Sequence, residues 1–180
     1  DNPEFIDDAL ATISSGVKRM RKVIEHLRLS SVAQRIDRVE LGKLIMQVVS
    51  ECENARPAPR ARVGDEPVWV RADRDRLFMA LTHAVRNSQD ATPDDGSITV
   101  DLTKSDGIAS IEIADTGRGM DEEFIRERLF KPFDSTKGTQ GVGIGAYQIR
   151  ETVRSVGGEV AVDSSASVGT KLSLRIPVLS

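Results

Sequence analysis

The feature that most constrains this chain is a strand that ends in an acid followed by two glycines. Ile111 and Ile113 alternate with Glu112 and Ala114, which is typical of a half-buried strand. Asp115 continues the core-facing alternation, and a carboxylate placed there costs free energy unless hydrogen-bond donors satisfy it. The motif at 115–120, Asp-Thr-Gly-Arg-Gly-Met, therefore predicts either a plain glycine-rich turn or a ligand site.

The two glycines of this motif indicate which ligand would fit. Gly117 and Gly119 carry no side chain, so we expect bare backbone beside the Asp115 carboxylate. An acceptor at the bottom of such a pocket suits a flat heterocycle with an amino group, of which adenine is the commonest.

A second glycine motif lies at 141–145, Gly-Val-Gly-Ile-Gly, and opens a predicted helix. Backbone N–H groups and the positive end of the helix dipole favour a phosphate there, although a flexible hinge is the plain alternative. A dinucleotide-binding motif would follow a strand directly, whereas Ser-Thr-Lys-Gly-Thr-Gln precedes Gly141. A Walker loop is excluded because no Gly-Lys-Ser/Thr ends the glycine run.

A helix predicted at about 74–91 carries polar residues beside its apolar face. His83, Asn87 and Asp90 align at three- and four-residue spacing, as solvated residues or as part of a site. The net charge of −3 gives no reason to expect a nucleic acid or an anionic membrane as partner. The one cysteine, Cys52, excludes disulfides within the chain.

The first 30 residues predict a long helix with a heptad seam. The pattern fits an ordinary amphipathic core helix or a coiled coil between chains. Because the chain starts at Asp1 without Met, we expect it to be a piece of a longer protein. The seam consists of Ile6, Leu10, Ile13, Val17, Met20, Ile24 and Leu27.

The order of these motifs resembles the GHKL ATPase superfamily over about residues 36–178. Residues 83–91 are similar to its N box, 115–120 to its G1 box, 130–133 to the F box of histidine kinases and 141–145 to its G2 box. Sensor histidine kinases fit best, and the sequence at 129–151 is especially similar to those associated with PEP-CTERM exosortase systems.

The resemblance implies a two-layer α/β sandwich of the Bergerat type, with one mixed, mostly antiparallel sheet covered on one face by helices. Residues 1–30 would be the second helix of a dimerisation and phosphoacceptor hairpin, and 31–180 the catalytic ATP-binding domain. The parent protein would be a homodimer through that helix. We expect a cytoplasmic domain of a membrane-bound sensor, with a response regulator receiver domain as its partner.

The resemblance also assigns roles to residues. Asp115 would accept from the adenine amino group, with Gly117 and Gly119 giving the base room, Met120 packing on the ring and Thr170 completing the polar floor. Asn87 would give its amide oxygen to Mg²⁺, a hard cation that prefers oxygen ligands. Phosphate contacts would come from the backbone of Gly141, Val142, Gly143, Ile144 and Gly145 and from Lys137 of a lid over 130–140.

Two positions depart from the family pattern, and the acceptor histidine has no match in the chain. His83, a catalytic candidate beside Asn87, could activate a group, order a water or simply pack. Asp90 stands where histidine kinases often have a base. Neither His26 nor His83 lies in an acceptor context, so the acceptor histidine is expected upstream of Asp1. A non-catalytic docking module and an ATP-driven clamp of the chaperone or repair type are the rival functions.

Overall fold

The computed structural model describes residues 35–134 and 143–179 and, before them, only residues 14, 16 and 17. The predicted heptad helix thus lies almost wholly outside the described residues; Ser14, Gly16 and Val17 are helical. Within the described ranges the chain forms strands and helices in this order: β1 (Ile36–Glu40), α1 (Leu41–Cys52), β2 (Arg60–Arg62), β3 (Trp69–Asp73), α2 (Arg74–Ala91), β4 (Ile98–Ser105), β5 (Ile108–Asp115), α3 (Glu122–Glu127), α4 (Gly145–Ser155), β6 (Glu159–Ser165) and β7 (Gly169–Pro177).

The main sheet has five strands in the order β2-β4-β5-β7-β6. β2 runs parallel to β4, and the other neighbours are antiparallel, as the sequence predicted. The expectation of a single sheet was wrong, because β1 and β3 form a separate antiparallel pair. One isolated bridge, between Val70 and Val178, links that pair to the segment after β7.

Helices α1, α2 and α4 bury their apolar faces against the inner side of the sheet. Such helices are stabilised by tertiary packing of one face more than by propensity. Helix α2 has the predicted bounds, and Asp73 caps its start: the Asp73 carboxylate accepts from the backbone N of Arg76 at 3.1 Å. The largest fully buried side chains include Leu41, Ile45, Leu77, Leu81, Ile111, Ile113, Ile149 and Leu174.

Gln89 joins the C-terminal part of α2 to the segment after α1. Its buried side-chain amide donates to the carbonyl oxygens of Cys52, Ala55 and Pro57, at 2.9, 3.2 and 3.3 Å. Since buried carbonyls are costly to leave without donors, this contact fixes α2 against α1.

Candidate functional site

Asp115 is the last residue of β5, and its side chain points inward as predicted, with 9% of its surface exposed. The backbone N–H of Gly117 donates to its Oδ1 at 3.0 Å, and that of Thr170 donates to the same oxygen at 3.2 Å. Both of these N–H groups donate to Oδ1, so the lone pairs of Oδ2 remain available to another donor. A nearly buried carboxylate oxygen in this state favours a ligand that brings an N–H group.

The glycines after Asp115 serve a purpose that the sequence did not reveal. A Cβ on Gly117 would lie 2.5 Å from the carbonyl oxygen of Ala91, and one on Gly119 would lie 1.9 Å from that of Ser165. Protein backbone therefore lies where a side chain at either position would have to go. Gly119 also has a φ of 63°, which glycine adopts without strain. The glycines let α2 and β6 close around Asp115.

His83 and Asn87 lie on one face of α2, and the C-terminal end of the same helix contacts the turn after Asp115. A Cβ on Gly145, the first residue of α4, would lie 3.6 Å from Asn87 Nδ2 and 3.9 Å from His83 Cβ. One helical turn further on, the carbonyl of Ala91 accepts from the backbone N of Arg118 at 3.0 Å. Four residues of helix span about 6 Å. Asn87 thus faces the start of α4. The turn that follows Asp115 contacts α2 about one helical turn further on, at Ala91.

The polar residues next to this face are exposed. Asp90 and Arg86 are both exposed on α2, and an Arg86 Nη lies 3.4 Å from a carboxylate oxygen of Glu51. An exposed pair of this kind contributes little to stability.

Helix α4 begins without a side-chain cap. Ile144 occupies the cap position and has no side-chain acceptor, so the first amides of an 11-residue helix have no partner from that source. Gly143 has a φ of 69°, and its carbonyl accepts from the backbone N of Phe133 at 3.0 Å. Backbone amides with a helix dipole behind them form a place for an anion. Lys137, Gly141 and Val142, predicted to contact phosphate, lie outside the described residues.

Two arginines contact the segment at 130–134, which directly precedes the residues outside the description. Arg128 donates twice to the Asp134 carboxylate, at 2.9 and 2.6 Å, and these hydrogen bonds hold the pKa of that carboxyl below its ordinary value. An Arg150 Nη donates to the carbonyl of Phe130 at 3.3 Å, and its guanidinium carbon lies 5.0 Å from the centre of that ring. The start of the predicted F box is thus attached to α4.

Ser164 was missed by the sequence analysis, although it contacts two predicted site residues. Its Oγ accepts from the backbone N of Met120 at 2.9 Å and lies 3.0 Å from Thr170 Oγ1. Ser164 is brought there by its pairing with Thr170 in the β6–β7 hairpin, a register that no local sequence pattern specifies. The structure therefore brings Asp115, Met120, Thr170 and Ser164 together, and places Asn87 and Gly145 at the other end of the site.

Comparison with known proteins decides the family. The histidine kinase-, DNA gyrase B-, and HSP90-like ATPase family matches residues 72–180. The chain belongs to this family. It is 36% identical over 114 residues to the histidine protein kinase DivJ of Caulobacter vibrioides, an alignment that covers 61% of this chain and 19% of DivJ. It is 31% identical over 144 residues to the sensor histidine kinase ZraS of Escherichia coli O157:H7, covering 78% of this chain and 31% of ZraS.

Solved structures give the same fold. The nucleotide-free catalytic domain of the histidine kinase ThkA superposes with a TM-score of 0.69 at 25% identity, covering 79% of this chain and 95% of that one. The two-layer α/β architecture predicted from the sequence is thereby confirmed. The chain spans less than a third of the length of DivJ or ZraS. Among residues 35–134 and 143–179, no helix has both the length and the apolar character needed to cross a bilayer.

Proposed function

We propose that this chain is the ATP-binding catalytic domain of a sensor histidine kinase. The observation that carries the proposal is the Asp115 carboxylate, 9% exposed, with both neighbouring backbone donors on one of its oxygens. Family membership supports the choice of ATP as the nucleotide.

Recognition of the base would take place at the end of β5. Asp115 Oδ2 would accept from the exocyclic amino group of adenine, while Oδ1 stays bonded to the backbone of Gly117 and Thr170. Met120, which is half-buried in the adjoining turn, would pack its soft side chain on the ring. The hydroxyl of Thr170 would complete the polar floor.

Recognition of the phosphates would take place between α2 and α4. The first amides of α4, from Ile144 and Gly145, would donate to phosphate oxygens, and we assign the same role to Gly141, Val142 and Gly143 and a charge-pairing role to Lys137. Asn87, which faces Gly145, has the amide oxygen that suits Mg²⁺. A bound Mg²⁺ would neutralise charge on the phosphates, and the protein's share is to position the reacting group.

The transfer step would need a histidine from outside these 180 residues. His26 lies outside the described residues, and half-buried His83 faces the start of α4, where we assign it a role in packing or in ordering Asn87. We propose that the γ-phosphoryl goes to a histidine of the parent protein and then to an aspartate of a response regulator. The parent would dimerise through residues 1–30, with this domain on the cytoplasmic side of a membrane-bound sensor.

Calorimetric titration of the chain with ATP, in Mg²⁺ and in EDTA, tests the proposal. We expect binding in both conditions, with tighter binding in Mg²⁺, and no stable phosphate label on the chain after incubation with labelled ATP. A non-catalytic docking module would bind weakly or with no preference for the metal. An ATP-driven clamp would dimerise on nucleotide binding and hydrolyse ATP slowly, and either result would contradict the proposal.

A further inference from the structure

Asp115, Thr170 and Ser164 occupy one row across three strands. The sheet register pairs Asp115 of β5 with Thr170 of β7, and Thr170 with Ser164 of β6. The backbone N of Thr170 donates to Asp115 Oδ1, and its hydroxyl oxygen lies 3.0 Å from Ser164 Oγ. The acid is therefore connected to Ser164 through a single residue.

The hydrogen-bond capacity of Ser164 fixes where the hydroxyl protons lie. A serine hydroxyl has one proton and two lone pairs. The carbonyl of Gly169, 2.8 Å from Ser164 Oγ, can only accept, so it takes the serine proton. The backbone N–H of Met120 donates to one lone pair at 2.9 Å. The arrangement that satisfies all three contacts leaves the remaining lone pair to Thr170, whose hydroxyl then donates to Ser164.

This assignment determines what Thr170 can offer to a ligand. With its only proton given to Ser164, the Thr170 hydroxyl presents lone pairs alone. Asp115 Oδ2, next to it in the sheet, is likewise an acceptor. This end of the site thus presents acceptors to whatever binds, which suits an amino group and opposes a carbonyl such as that of guanine.

We propose that Ser164 is a positioning residue for recognition of the base's amino group. This inference rests on the proposed function and deepens it. Ser164 fixes the Thr170 hydroxyl as an acceptor and, through the Met120 amide, holds the turn that follows Asp115. It acts through these neighbours, and its own hydrogen-bond capacity is used up within the protein.

The test compares two nucleotides on the 180-residue chain. Purine riboside triphosphate lacks the 6-amino group of ATP but keeps the ring and the phosphates. For Ser164→Ala we expect the Kd for ATP to rise about tenfold, the effect of one lost hydrogen bond, while the Kd for the analogue rises by less than about twofold. Ser164→Thr keeps the hydroxyl and should restore ATP binding. Ser173→Ala, on β7 away from the site, is the matched control.

The outcomes separate this inference from the proposed function. An equal loss for both nucleotides would show a merely structural role and overturn the inference, as would an unchanged ATP affinity. Thr170→Val, which removes the proton donor but keeps the shape, is the second variant, and it should show the same selective loss. If the unaltered chain bound ATP and Asp115→Asn did not, the proposed function would stand even where Ser164 failed the test. If the unaltered chain did not bind ATP, both would fall.

Discussion

The proposed ATP site has a base end at Asp115 and a phosphate end at the start of α4. These two ends are built in different ways. At the base end, Asp115 is held by hydrogen bonds that follow from the register of β5, β7 and β6. At the phosphate end, the described residues offer the uncapped start of α4 and one backbone hydrogen bond, from Phe133 to Gly143. The base end is therefore preorganised by the fold itself. In the proposed function, binding at the phosphate end would depend on helix amides, a metal ligand and the charge of the substrate.

Replacing one glycine at each end with alanine should give the largest difference between the two ends, measured as the free energy of unfolding. Gly119→Ala puts a methyl group against the Ser165 carbonyl at a positive φ, so we expect a loss of about 3 kcal/mol in the free energy of unfolding. Gly145→Ala, the matched control, places its methyl group at ordinary contact distance from Asn87 and should change stability by less than about 0.5 kcal/mol. Urea denaturation measures both, and equal stability of the two variants would contradict the packing described for Gly119.

Removal of Asn87, the proposed metal ligand, should affect only the phosphate end. For Asn87→Ala we expect the Kd for ATP in Mg²⁺ to rise about tenfold, since an oxygen ligand is lost. The difference between titrations in Mg²⁺ and in EDTA should disappear, while binding of adenosine stays unchanged. Arg86→Ala, an exposed neighbour on α2, is the control. Retention of a full Mg²⁺ effect in Asn87→Ala would show that the metal is held elsewhere.

The sequence predicted the base end better than it predicted what surrounds it. Alternation along β5 was enough to place Asp115 inward, and helical periodicity gave the bounds of α2, because both signals are local. The hydrogen bond from Met120 to Ser164 joins residues 44 positions apart in the chain, and it depends on a strand register that no local pattern specifies. The contacts of Gly117 with Ala91 and of Gly119 with Ser165 could not be predicted either, because they too join residues far apart in the chain.

Loss of the ion pair between Arg128 and Asp134 should have the smallest effect on stability and binding. Because Arg128 lowers the pKa of Asp134, the pair stabilises the folded chain above the carboxyl's ordinary pKa of 3.8, and this contribution is lost as the pH falls through the lower, folded-state pKa. An NMR titration should therefore place the Asp134 pKa below 3.8 in the unaltered chain and near it in Arg128→Gln. ATP affinity at neutral pH should hardly change in that variant. An unshifted pKa in the unaltered chain would remove the ion pair from the description of this segment.

Calorimetry of Asp115→Asn with ATP tests most directly whether a buried acceptor recognises adenine. If the new amide oxygen keeps the two hydrogen bonds made by Oδ1, the amide nitrogen must occupy the Oδ2 position, where it meets the adenine amino group as a second donor. We expect the Kd for ATP to rise about 100-fold with the fold unchanged by circular dichroism. An ATP affinity within about twofold of the unaltered chain would contradict the role assigned to Asp115.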